Sequence, residues 1–146
     1  MTKVAVISGA SRGLGKSLAE NLAGQGYHLA LASRTTSDLE ELKSKLESDY
    51  NIQVLTQGVD FGKKNEVIKF SEAVKNTFTN VHVIVNNVGI YGGTTVSQMD
   101  DGELEQMMNV NFYGAYYLTK AFLEQFKLRK SGHVFNICSI VNRVPR

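Results

Sequence analysis

The stretch Val4-Ala5-Val6-Ile7-Ser8-Gly9-Ala10-Ser11-Arg12-Gly13-Leu14-Gly15 decides how this chain reads. Four apolar residues suited to a buried strand run into three glycines, Gly9, Gly13 and Gly15, and then into a helical pattern. Glycine tolerates positive φ and lets a backbone approach an anion closely. The N–H groups at the start of the following helix point at that anion and favour its charge. A diphosphate-binding loop between a strand and a helix is therefore the first expectation, and it puts a nucleotide on this protein.

The rest of the chain supplies a matching scaffold. Apolar runs at 3–8, 27–33, 52–57, 82–86 and 133–138 alternate with helical patterns near 13–24, 36–48, 63–78 and 101–128. Leu39, Leu42 and Leu46 share one helical face, and Val67, Phe70, Val74 and Phe78 share another, at the spacing of a buried stripe. Strands rich in Val, Ile and Ala without strict alternation suit a parallel sheet covered on both faces. Alternating strands and helices predict an α/β, Rossmann-like doubly wound sheet. Its 146 residues make one domain, large enough to bury about 68–70% of the unfolded surface.

Composition excludes several classes. Sixteen basic and fourteen acidic residues leave a formal charge of +2, too weak to imply nucleic acid or a membrane surface. No apolar run has spanning length, and the short N-terminal run makes a poor signal peptide. The single cysteine, Cys138, rules out an internal disulfide and suits a reducing compartment. The expectation is a soluble cytoplasmic domain with no metal site.

The last helical pattern holds a polar intruder. Leu104, Met108, Asn111, Ala115, Leu118 and Phe122 recur as one stripe, which is expected to be buried. A buried amide needs hydrogen-bond partners. From the helix alone, Asn111 reads as a structural amide bonding a neighbouring backbone at a bend; an active-site amide holding a water is the other reading.

A glycine loop alone is weak evidence, but three further motifs come after it in order: Asn86-Asn87-Val88-Gly89 after an apolar run, Asn111-Phe112-Tyr113-Gly114, and Val134-Phe135-Asn136-Ile137 leading to Cys138-Ser139. Together they resemble the short-chain dehydrogenase/reductase family from about residue 3 to residue 140. The resemblance implies that Ser8, Gly9, Ser11, Arg12, Gly13, Leu14 and Gly15 form the cofactor loop. It makes Asn87, with Val88 and Gly89, the brace of the central strands beside the cofactor. Asp60 matches the acid that meets the adenine amino group; a turn or cap residue before the next helix is an equally good reading. Asn111 matches the active-site asparagine, and Ser139 the serine that bonds a substrate carbonyl. The family sheet has strand order 3-2-1-4-5 over this stretch and continues beyond it. The long 101–128 helix resembles one that builds a subunit interface, which implies a homo-oligomer.

Charge argues for the cofactor. Folds that prefer NAD place an acid near the end of the second strand, where this chain reads Ser33-Arg34-Thr35. Arg34 and Arg12 suit a 2′-phosphate; two solvated surface arginines are the plainer alternative. NADP(H) in preference to NAD(H) is expected, with a small carbonyl or alcohol as substrate.

The family's proton donor is a tyrosine with a lysine four residues later, following the serine, and the chain reaches Arg146 without that pair. Tyr116 and Lys120 have the spacing but precede the serine. On a regular helix, at about 100° per residue, Tyr116 lies roughly 140° from Asn111, so the pair is read as a decoy. The chain is expected to be a truncated or incomplete piece of an ordinary reductase, and, if it ends at Arg146, to have lost most turnover. The alternative is a catalytically silent nucleotide-binding or interaction module.

Overall fold

The computed structural model describes residues 3–92 and 95–139. Five strands, β1 (Val4–Ser8), β2 (His28–Ser33), β3 (Val54–Gly58), β4 (Val83–Asn86) and β5 (His133–Asn136), form one sheet in the order β3-β2-β1-β4-β5. Every neighbouring pair is parallel, with Val6 opposite both Ala30 and Ile84, and Asn86 opposite Asn136. The expected architecture and strand order are both present.

The helices α1 (Gly13–Gly24), α2 (Thr36–Asp49) and α3 (Lys64–Thr77) fall where the periodicity places them. Leu39, Leu42 and Leu46 bury against one sheet face with Ala5, Ile7, Leu29 and Leu31. Val67, Phe70, Val74 and Phe78 bury against the other with Val6, Ala30 and Ile84. β1 is buried at all five positions, so no alternation is visible in its sequence: both faces are packed.

The fourth helical region departs from expectation. The predicted 101–128 helix is α4 (Asp101–Met108), a π-helical turn over Asn109–Tyr113, and α5 (Gly114–Arg129). In the π turn the Gly114 N–H reaches back five residues to the Asn109 carbonyl, inserting one residue into the helical repeat. The stripe is not buried along its length either. Leu118 and Phe122 are buried, but Leu104 is 53% exposed and Met108 44% exposed. A glycine is required where α5 begins: a Cβ at Gly114 would lie 2.7 Å from the Phe61 carbonyl oxygen. The loop after β3 thus packs directly on the helix.

β5 is short and its side chains are mostly uncovered, with Phe135 53% exposed. Beyond Asn136 the Ile137 N–H still donates to the Asn86 carbonyl, so the pairing runs one residue past the strand.

Candidate functional site

The carboxyl ends of β1, β2 and β4 meet at one edge of the sheet, where crevices of open α/β sheets take their ligands. At the end of β1 the chain turns through Gly9, at φ +67°, whose N–H donates to the Ala32 carbonyl at 2.7 Å. Gly13 also has positive φ, +55°, and opens α1. A Cβ there would meet no protein atom within 4 Å, whereas one at Gly15 would lie 2.2 Å from the Gly9 carbonyl oxygen. Gly15 is the position at which helix and loop touch. Gly13 leaves the space in front of the helix clear.

Among the described residues no side chain caps α1, and its first turn holds no acid. Its leading N–H groups keep their capacity for an external anion. Leu14, 52% exposed, sits at the rim.

A hydrogen-bonded latch holds the loop to β4. The Ser8 hydroxyl is buried; it donates to the Val85 carbonyl and accepts from the Asn87 N–H at 2.9 Å and the Val88 N–H at 3.2 Å. The Asn87 side-chain amide returns two bonds, donating to the carbonyls of Ser8 and Gly9, both at 3.2 Å. Ser8 therefore faces into the protein and fixes the loop from behind. Ser8→Ala strands two backbone N–H groups without an acceptor. It is expected to lower stability by about 2 kcal/mol, read from the midpoint of a denaturant titration; an unchanged midpoint would contradict the latch.

A cleft of about 650 Å³ lies against this loop. Of the residues singled out from sequence, it brings together Gly9, Ser11, Arg12, Arg34, Asp60, Asn87 and Val88. Ser8, Gly13, Leu14 and Gly15 shape the loop from the side, and Gly89 is exposed beyond Val88. Arg12 and Arg34 are both exposed and take part in no ion pair among the described residues. Ser33, Thr35, Gln106 and Val110 complete walls that the motifs did not single out.

At the far wall Asp60 sits in a closely bonded turn. Its Oδ1 accepts from the Gly62 N–H at 3.0 Å, and the Lys63 N–H donates to its carbonyl at 2.9 Å. The Glu66 carboxylate accepts from the Asp60 N–H at 2.8 Å and pairs with Lys63 Nζ at 3.2 Å. These partners hold the Glu66 carboxyl below its usual range, the Asp60 N–H foremost, and they raise the Lys63 ammonium, chiefly through Glu66. Asp60 is thus both a turn residue and a cleft residue. Sequence reading missed Glu66, although its place three residues after the helix N-cap, Lys63, is where a side chain reaches back to free N–H groups.

Asn111 lies in the π turn and bonds the Ile90 backbone reciprocally: Oδ1 accepts from the N–H at 2.8 Å and Nδ2 donates to the carbonyl at 2.9 Å. Asn111 is exposed, contrary to the buried amide expected on this stripe; it makes the backbone bonds of a structural amide, and one N–H and one lone pair are left over. Asn111 lines a second cavity of about 410 Å³ with Val88, Thr119 and Cys138, and Val88 also lines the first. In that second cavity Asn86 Nδ2 donates to Thr119 Oγ1 and Asn136 Oδ1, while its own buried Oδ1 has no partner among the described residues. Ser139 is exposed and follows Cys138.

Tyr116 and Lys120 line the same cavity as Asn111, which corrects the regular-helix expectation. The extra residue in the π turn rotates α5 by about 100° relative to α4, bringing Tyr116 to within roughly 40° of Asn111. Lys120 Nζ lies 3.3 Å from the Tyr116 hydroxyl and stacks over its ring.

Comparison with known proteins agrees with this geometry. A family profile described as short chain dehydrogenase matches residues 3–146. An uncharacterized oxidoreductase of Staphylococcus saprophyticus is 36% identical over 138 residues, covering 94% of this chain and 59% of the relative. An alcohol dehydrogenase from the archaeon Thermococcus sibiricus, complexed with 5-hydroxy-NADP, superposes with a TM-score of 0.86 at 35% identity, over 92% of this chain and 57% of that one. A metagenomic short-chain oxidoreductase in complex with NADP gives a TM-score of 0.92 at 27% identity, over 99% and 65%. The chain spans little more than half the length of the curated relative. No helix among the described residues is long and apolar enough to cross a membrane.

Proposed function

The chain belongs to the short-chain dehydrogenase family, and on that premise we propose that it serves an NADP(H)-dependent oxidoreductase acting on a small carbonyl or alcohol. The observation that carries the cofactor choice is the pair Arg12 and Arg34 on one cleft, with no carboxylate at the end of β2. Guanidinium groups suit phosphate oxygens bidentately. The nucleotide complexes of the two solved relatives support the same reading.

The residues fit such a cofactor. The uncapped start of α1 and the clear space before Gly13 receive a diphosphate, Arg12 and Arg34 a 2′-phosphate, and Asp60 an adenine amino group. Asn87 holds the loop in place through its two carbonyl bonds. When bound, the nicotinamide donates or accepts hydride. Val88 forms the wall shared by the cleft and the second cavity, where a small substrate would sit beside it. Ser139 donates a hydrogen bond to the carbonyl oxygen. The remaining N–H of Asn111 is the group that would hold a water near that site.

The exposed stripe of Leu104, Met108, Phe112 and Tyr116 is the face on which a second copy would pack. Cys138, exposed, fits a cytoplasmic protein.

NADPH oxidation by the protein across a panel of small ketones and diketones tests the reading. NADPH binding is expected in every case, turnover with at least one carbonyl only where a tyrosine–lysine pair follows Ser139, and little or none from the 146 residues alone. Absence of NADPH binding, or robust turnover by the 146 residues alone, would contradict it.

A further inference from the structure

Asp60 lies between two competing partners. Lys63 Nζ is 3.2 Å from Glu66 Oε1 but 3.8 Å from Asp60 Oδ2, so Glu66 holds the ammonium nearer to itself. The other Glu66 oxygen accepts from the Asp60 N–H, fixing the backbone from which the Asp60 side chain leaves. The turn has little room to relax: a Cβ at Gly62 would lie 3.2 Å from both Asp60 Oδ1 and Val110 Cγ2. Asp60 and Val110 line the cleft.

We propose that Glu66 is a positioning residue for base selectivity: by holding the Asp60 N–H and drawing Lys63 aside, it keeps the Asp60 carboxylate available to an exocyclic amino group of a purine at this end of the cleft. The inference rests on the proposed placement of adenine beside Asp60 and extends it to a residue outside the cleft lining. Without Glu66, Lys63 closes onto Asp60 and occupies the oxygen that a base amino group would use. A charge-assisted bond lost in this way is large enough to change which base binds. The Asp60 N–H first, and then Lys63, hold the Glu66 carboxyl below its usual range.

The probe is the hypoxanthine analogue of NADPH, which carries a carbonyl oxygen in place of the adenine amino group. Dissociation constants for NADPH and the analogue are measured by nucleotide fluorescence on the unmodified chain, Glu66→Ala, Glu66→Gln, Asp60→Ala and the double variant Glu66→Ala/Lys63→Ala. Both ligands bind the same folded state, so their ratio is insensitive to a loss of stability that lowers the folded fraction. The unmodified chain is expected to prefer NADPH by about tenfold, as for one charged hydrogen bond. Glu66→Ala brings the ratio to within about twofold. Glu66→Gln retains only part of the preference, because its amide oxygen still accepts from the Asp60 N–H but its NH2 no longer draws Lys63 aside. Removing Lys63 as well restores part of what Glu66→Ala loses.

If Glu66→Ala keeps the full preference while Asp60→Ala abolishes it, the role of Glu66 is overturned and adenine recognition by Asp60 stands. If the unmodified chain binds both nucleotides equally, the placement of adenine at Asp60 fails, and the inference fails with it.

Discussion

Gly15→Val is expected to abolish cofactor binding, weakening the NADPH dissociation constant by about 100-fold or more. A Cβ at this position would stand 2.2 Å from the Gly9 carbonyl oxygen, 2.9 Å from its carbonyl carbon and 2.7 Å from Asn87 Nδ2. Two of these atoms are backbone, and the third belongs to the amide that ties β4 to the loop. No flexible group is available to yield, so α1 must move away from the loop, and its N–H groups leave the anion with it. Gly13 provides the contrast. Its positive φ makes a side chain strained, but a Cβ there meets nothing. Gly13→Asn is expected to cost stability by only about 1 kcal/mol, since asparagine tolerates left-handed backbone. Fluorescence titration with NADPH, beside a thermal melt of each variant, checks the pair. Equal binding by Gly15→Val and the unmodified chain would show that the close approach of Gly9 and Gly15 does not shape the site.

Arg34→Asp is expected to invert cofactor preference. The substitution removes a cation from the cleft and places a carboxylate at the end of β2, where it repels a 2′-phosphate and accepts from ribose hydroxyls. Losing a charge-assisted bond costs about 2–3 kcal/mol, so NADPH binding falls by roughly 30–150-fold while NADH binding holds or improves. Arg12 keeps part of the phosphate interaction, so Arg12→Ala/Arg34→Asp falls further. Isothermal titration with both nucleotides reads the effect. Equal losses for NADPH and NADH would mean that Arg34 supports the loop and does not choose between phosphorylated and unphosphorylated ribose.

The fold was legible because its signals are local and redundant. Val4–Ile7 and Leu29–Ala32 are apolar without alternation, as strands buried on both faces must be, and Leu39, Leu42 and Leu46 repeat at helical spacing beside them. The latch was legible only in part. Asn87 announced itself through its motif, but the inward turn of the Ser8 hydroxyl toward Val85, Asn87 and Val88 depends on strands almost 80 residues apart.

The fourth helical region shows where periodicity stops working. Its reading assumed 3.6 residues per turn throughout, and a single π turn at Asn109–Tyr113 rotates every later residue. Tyr116, judged to face away from Asn111, lines the same cavity. No residue type announces a π turn; Gly114 against the Phe61 carbonyl is a packing fact with no one-dimensional signature. The exposure of Leu104 and Met108 has a different origin. Apolar spacing marks a face that is able to bury itself, and it is silent about what covers that face. Glu66 escaped notice because its partner is the backbone N–H of Asp60, which composition and charge counts do not register.

The central claim is that this glycine loop, with Arg12 and Arg34 beside it, holds NADP(H) in preference to NAD(H). Direct titration of the unmodified chain with NADPH and NADH at matched ionic strength tests it most directly. NADPH is expected to bind at least about tenfold more tightly, with the gap narrowing as salt screens the arginines. Equal affinity, or tighter binding of NADH, would contradict it.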